Sequence, residues 1–294
     1  MRSHPAEYEL ITPQSLHAAL LVLADDPGRW TPVAGGTEIM VQFGAGRLNA
    51  RHLVSIWGLP ELREITDNAE TLTIGGGCTF SQLRSHPAIA KHFPLLLQAA
   101  SWTGSLANQN RATIAGNIVN ASPAADSPPA LLAYDAELEL VSAHGSRRIA
   151  YADFHLGYKK TALAPGELLL SIQLQKRFDT WFGYARKTGA RNAQAISKIC
   201  IAAAGTSHAG RVASIHIGMG AVAPTPLRLR KVEQVLTGAP ITATAIAEAR
   251  RALAGEIAPI DDIRSSADYR RQVAANLLED FLHCFAASAE VPCS

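Results

Sequence analysis

The chain has 294 residues, of which 48% are apolar, with 27 basic and 25 acidic side chains. This is enough chain for two domains, or one large domain with subdomains, at ~100–200 residues per domain. The balanced charge contains no run of one sign to hold a nucleic acid, and no apolar run approaches the ~20 residues of a membrane span.

In chain order, Thr12-Pro13 predicts a helix start, a capping hydroxyl followed by proline at the first helical position, with Leu16, Leu20 and Leu23 on one face. Strands are expected at Thr31–Val33 and His52–Ile56, which makes the opening a small α/β unit. "TLTIGGG" (71–77) alternates as a strand, Thr79 can cap the helix FSQLRS, and Pro94–Ser101 reads as a helix. Asp126 can cap a helix through Leu131–Tyr134. Residues 137–150 form two strands around His144-Gly145, a hairpin signal, and 167–174 is a further strand. Beyond Gln175 come three strands (Phe182–Lys187, Ile196–Ala204, Val212–Gly218) and then three helices (Arg230–Thr237, Ala243–Leu253, Ser266 to Ala286). This succession implies a separate α+β domain with its boundary near 175–180.

Several chemistries are excluded. Gly75-Gly76-Gly77 lacks the third glycine of GxGxxG, and Gly218-Met219-Gly220 runs into Pro224 and Pro226. "GTSHAG" (205–210) is one residue too long for a nucleophile elbow and reads as a hairpin turn. The histidines form no HExxH, and His86 and His92 flank a helix in solvated or capping positions. Cys78, Cys200, Cys284 and Cys293 are scattered without a CxxC, so no metal site is expected. The N-terminal MRSHPAEYEL has no apolar segment, which points to a cytoplasmic protein.

Two glycine loops remain. "VAGGTEI" (33–39) follows a strand, and "TIAGN" (113–117) opens a polar stretch that ends in "ASPAADSPP". Neither contains lysine or arginine. Glycines that let successive amides converge can form an anion nest without them. Thr37, Thr113, Asn117 and Ser122 add neutral donors, and Asp126 can accept from sugar hydroxyls. Facing loops of this kind suit a diphosphate flanked by ribose or ribityl groups.

"PVAGGTEIMVQ" and "NRATIAGNIVNASPAADSPPALLAYDAELEL" resemble the two flavin loops of the FAD-binding subunits of the xanthine dehydrogenase family, the molybdenum hydroxylases. "RRIAYADFHLGYKKTALAPGELLLSIQL" continues the likeness, and the region from about 180 resembles the small domain of carbon monoxide dehydrogenase flavoprotein. The resemblance implies an α+β fold: a PCMH-type FAD-binding domain over 1–176, with subdomains of about 1–57 and 58–176, then a C-terminal domain over 177–294 with a three-stranded antiparallel sheet and helices. It implies that Ala34, Gly35, Gly36, Thr37, Glu38 and Ile39 line the pyrophosphate. Ala112, Thr113, Gly116, Asn117, Val119, Asn120 and Asp126 would bind the rest of FAD, Leu169 would pack on the flavin, and Arg186 would stand where the family often has a lysine. No residue is implied as a proton-transferring group. The partners implied are an iron–sulfur subunit that donates single electrons, a molybdopterin subunit that oxidises the organic substrate, and NAD+, a quinone or oxygen as acceptor.

The sequence departs from the family pattern at Ala115, usually glycine, at Gln109, commonly arginine, and at Arg111, where an apolar residue is commoner. Alanine at 115 is tolerated at negative φ and costs ~1 kcal/mol in the left-handed region. Two rivals are a self-sufficient oxidase of the vanillyl-alcohol-oxidase type, often with FAD attached through His or Cys, and an interaction protein that has lost the cofactor.

Overall fold

The computed structural model describes residues 4–191 and 194–289; Cys293 lies outside them. The first unit is β1 (Glu9–Ile11), α1 (Leu16–Asp25), β2 (Trp30–Val33), α2 (Ile39–Gly44) and β3 (His52–Ser55), with a parallel sheet in the order β1-β3-β2. Leu20 and Leu23 of α1 pack on Val54 of β3. The cap expected at Thr12 is instead Ser15, whose Oγ accepts from the Ala18 amide at 3.2 Å. The reason is β1: the strand runs to Ile11, and Thr12–Gln14 serve as the turn that carries the chain into the helix.

The second unit is an antiparallel sheet ordered β4-β5-β10-β6-β7, built from β4 (Ile65–Asp67), β5 (Thr71–Gly75), β6 (Glu137–Ser142), β7 (Gly145–Ala150) and β10 (Leu168–Gln175). Between β5 and β6 lie six helices: α3 (Phe80–Ser85), α4 (Pro87–His92), α5 (Pro94–Trp102), α6 (Leu106–Gln109), α7 (Ile114–Val119) and α8 (Pro128–Ala133). A small ribbon, β8 (His155–Gly157) with β9 (Lys160–Thr161), precedes β10. Thr79 forms a reciprocal capping box with Gln82. Asp126 does not cap α8. Pro128 and Pro129 remove the first two amides of that helix, so the usual second-position donor is missing, and the carboxylate turns to Lys187 and Ser197 instead. His92 is buried, not solvated, with Nδ1 2.6 Å from Asp179 Oδ2.

The third unit has β11 (Phe182–Thr188), β12 (Ile199–His208), β13 (Arg211–Gly220) and a two-residue β14 (Leu227–Arg228) in sequential antiparallel order. Helices α9 (Arg230–Leu236), α10 (Ala243–Ala254) and α11 (Ala267–Ala289) cover one face. Strand alternation divides β12 between two cores. Ile199, Ile201 and Ala203 face Leu278, Phe281 and Leu282 of α11, while Ala202 and Ala204 face α8 and the second unit. "GTSHAG" ends β12 and turns at Ala209-Gly210, both at positive φ. Tyr269 opens α11 but is 41% exposed, its ring covered by Lys198.

Candidate FAD site

A cleft of about 1250 Å³ lies where the three units meet. It exceeds the ~300–1,000 Å³ of sites for drug-sized ligands and has room for a dinucleotide. Its walls come from the loop after β2, from α7 and β10, and from Gln194–Ile196 and Arg264 of the third unit.

The first loop runs from Ala34 to Glu38, and all five residues line the cleft, as does Ile39. Gly36 holds φ +77°, a conformation that glycine adopts without the penalty other residues pay. A methyl on it would meet nothing closer than 3.7 Å, so it is the positive φ, not crowding, that calls for glycine there. Gly35 is needed for another reason. A Cβ there would lie 1.7 Å from the carbonyl oxygen of Arg111, so its hydrogen is what lets the two loops touch.

The second loop is pinned on the turn after β5. The Ala115 amide donates to Gly76 O at 3.0 Å, Ile114 N to Cys78 O at 3.0 Å, and Phe80 N to Ala112 O at 3.1 Å. Gly76 leaves room for Leu169 O, 2.4 Å from where its Cβ would stand. Thr113 caps α7, its Oγ1 accepting from the Gly116 amide at 3.1 Å. Ala115 lies inside α7 and outside the set of positive-φ residues, so its methyl carries no left-handed strain. Gln109 is buried: its Oε1 accepts from Arg84 at 2.7 Å, and its Nε2 donates to Ser101 O at 3.1 Å.

The remaining polar side chains are held in place. Asn117 Oδ1 accepts from Ser127 Oγ at 2.6 Å, and Lys159 Nζ donates to both oxygens of Asn120, at 2.8 and 2.6 Å. Asp126 accepts from Lys187 Nζ at 2.7 Å and Ser197 Oγ at 2.5 Å, with the ion-paired side chains each 9% exposed. Burial pushes the Asp126 carboxyl up from its usual range, and Lys187 and Ser197 pull the other way. Glu167, also in the cleft wall, is clasped through both oxygens by Arg147, which holds it below the ordinary carboxylate range. Val119 and Leu169 give the wall apolar patches.

Fourteen of the fifteen residues singled out from the sequence therefore line this cleft; the exception is Arg186. Consecutive strand side chains point to opposite faces. Arg186 points to α11, where it pairs with Asp280, and Lys187 takes the side facing Asp126. Lys187, Ser197 and Ile196 escaped sequence reasoning, although the alternation of β11 carried the signal for Lys187. Among the described residues, no histidine or cysteine lines the cleft, and no group of three or more His, Cys, Asp or Glu side chains is placed to hold a metal ion.

The glycine amides of one loop, the capped turn of the other and the neutral polar wall fit a dinucleotide with a diphosphate at its centre. Comparison with known proteins gives the same answer. Residues 6–175 match the family described as the FAD binding domain in molybdopterin dehydrogenase, and residues 184–285 match the CO dehydrogenase flavoprotein C-terminal domain. The chain is 33% identical over 258 residues to the xanthine dehydrogenase FAD-binding subunit of Escherichia coli O157:H7, covering 87% of this chain and 88% of that one. It is 29% identical to the carbon monoxide dehydrogenase medium chain of Hydrogenophaga pseudoflava, covering 95% and 97%. A solved carbon monoxide dehydrogenase structure from Hydrogenophaga pseudoflava superposes with a TM-score of 0.92 at 27% identity, over 97% of this chain and 99% of that one. The chain thus belongs to the FAD-binding subunits of the molybdopterin dehydrogenases.

Proposed function

We propose that this chain is the electron-transfer subunit of a molybdenum hydroxylase complex, receiving electrons from an iron–sulfur subunit that is fed by a molybdopterin subunit, and passing them to NAD+, a quinone or oxygen. The observation that carries this reading is the cleft itself: two apposed loops shaped for a dinucleotide, with no His, Cys or metal cluster beside them among the described residues. FAD supplies the exchange between single electrons and electron pairs when bound. The protein's part is to hold and orient. The amides of Gly36 and Thr37 would take the diphosphate, beside the turn at Thr113–Gly116, whose own amides at Ile114, Ala115 and Gly116 hold that turn on Cys78 O, Gly76 O and Thr113 Oγ1. Asn117, Asn120 and Asp126 would offer acceptors to the sugar hydroxyls, and Leu169 with Val119 would keep water from the ring. Asp126 is suited to this because Lys187 and Ser197 fix its carboxylate.

The cleft wall also favours non-covalent attachment, since the described residues place no nucleophilic His or Cys in it. The purified chain should be yellow, release FAD intact on acid treatment, and fail by itself to oxidise purines, aldehydes or carbon monoxide. Substrate-driven reduction of an acceptor should appear when the iron–sulfur and molybdopterin subunits are added. Rapid turnover of an organic substrate by the chain alone would overturn this reading in favour of a self-sufficient oxidase.

A further inference from the structure

The two loops offer a diphosphate amides and hydroxyls but no positive charge, and the first of them adds a carboxylate, Glu38, to the cleft wall. Most charged side chains of that wall are answered by protein. Asp126 is paired with Lys187, Glu167 with Arg147, and Arg264 with Asp262, which it clasps through Nε and Nη2. The other cation in the wall is Arg47, which is exposed. Among the described residues its guanidinium has no protein partner, and Glu38 meets only the neutral amide of Gln42.

The backbone sets where Arg47 stands. Helix α2 closes in a Schellman turn: Gly46, at φ +65°, donates to Phe43 O at 3.0 Å, and the Arg47 amide donates to Gln42 O at 2.8 Å. The next residue, Leu48, is buried, and its carbonyl oxygen accepts from Tyr8 Oη at 3.2 Å. Residue 47 is therefore fixed against Gln42. Gln42 reaches Glu38 in turn, its Nε2 donating to Oε1 at 3.1 Å, so Glu38, Gln42 and Arg47 form a row down α2 along the cleft wall. The row begins at the first loop, where helical bonding starts with Met40 N donating to Gly36 O at 2.9 Å. The rise from Thr37 to Gln42 is ~7.5 Å at 1.5 Å per residue. A charge standing beside Gln42 thus acts on an anion at the Gly36 and Thr37 amides across about one Debye length, ~8 Å in physiological salt. A diphosphate brought up to Glu38 adds like charge to like, and a guanidinium, whose N–H fork matches phosphate oxygens, offsets both.

We propose that Arg47 is the counter-ion of the cofactor's diphosphate, supplying from the closed end of α2 the charge that the glycine loops lack. The proposal rests on the FAD assignment. It predicts that part of the cofactor affinity is electrostatic and belongs to the diphosphate alone.

The test strips the full chain of cofactor and titrates it with FAD and with riboflavin, following the quenching of flavin fluorescence at several salt concentrations. In the wild type, FAD affinity should weaken with salt while riboflavin affinity stays flat. Arg47→Met should raise the FAD Kd about fivefold, flatten its salt dependence and leave riboflavin within about twofold. Arg47→Lys, which keeps the charge, should lose less, and Arg47→Glu, which reverses it, should lose more. Equal losses for both flavins would make Arg47 a support of the wall and overturn the proposal, as would unchanged FAD affinity in Arg47→Met. Should a variant fail to fold, salt-independent FAD binding by the wild type overturns it equally. A wild-type chain that bound no FAD would instead sink the cofactor assignment.

Discussion

Gly35→Ala is the sharpest probe of the site, because the change is one methyl group and its position is fixed. That methyl would lie 1.7 Å from Arg111 O and 2.5 Å from Arg111 C. Non-bonded carbon and oxygen tolerate about 3.2 Å, so the loops must part by about 1.5 Å or distort by as much. Overpacking on this scale costs about 1–3 kcal/mol of stability. The effect on FAD is larger in kind. Amide–phosphate hydrogen bonds near 2.9 Å do not survive a shift of more than an ångström, and bonds to a charged acceptor contribute about 1.5–3 kcal/mol each. Losing two should weaken FAD binding by two to four decades, at about 1.4 kcal/mol per decade. The contrast is Gly36→Ala, where space is open and only the left-handed φ is penalised, at about 1–2 kcal/mol, so its loss should be near tenfold. Both are read by FAD titration of the stripped protein, with thermal unfolding as the control. If Gly35→Ala bound FAD within threefold of wild type, loop contact would not be what shapes the site.

Three further outcomes are expected. Lys187→Met should destabilise the fold by about 3–5 kcal/mol because it strands the buried Asp126 carboxylate, and Lys187→Met with Asp126→Asn should recover most of the loss in denaturant titrations. Thr113→Val removes the cap of α7 and should lower stability by about 1 kcal/mol while weakening FAD binding, since the Gly116 amide loses its acceptor. Glu167 is held below its usual 4.5 by Arg147, so in the unfolded chain it takes up its proton first on acidification. Its contribution is full above about 4.5 and is lost as pH falls through the lower folded value; Arg147→Gln should cost about 1 kcal/mol at neutral pH, a gap that closes in acid when unfolding is followed across pH.

Local signals carried much of this structure. Thr79 and Gln82 spell a capping box, the alternation of 137–150 around Gly145 spells a hairpin, and the four-residue spacing through Val273, Leu277 and Phe281 spells one buried helix face. The first glycine loop was visible as a loop, whereas the second, read as a loop, is the capped start of α7. That they touch was not visible, because the contact between Gly35 and Arg111 joins residues far apart in the chain. The same limit hid β1, whose three residues gain their meaning from pairing with β3, and shifted the expected cap from Ser15 to Thr12. Arg186 and Lys187 differ by one position, and choosing between them requires knowing which face of β11 meets Asp126. Proline chemistry decided Asp126: two imino acids at the start of α8 left the carboxylate little to cap and freed it for a partner 61 residues away.

Helix α8 has one further consequence. All six of its residues are buried, it packs against β12 and β13, and the oxygen of Pro129 sits 2.3 Å from where a side chain on Gly218 would begin. The helix belongs in sequence to the FAD-binding half and in space to both halves. A recombination joint placed near residue 180 would keep each stretch of sequence whole and still cut through this packing. Exchanging tails between relatives would therefore need α8 and its glycine partner to travel together. The unit of inheritance here is the helix with its docking strand, and the chain should melt in a single cooperative transition.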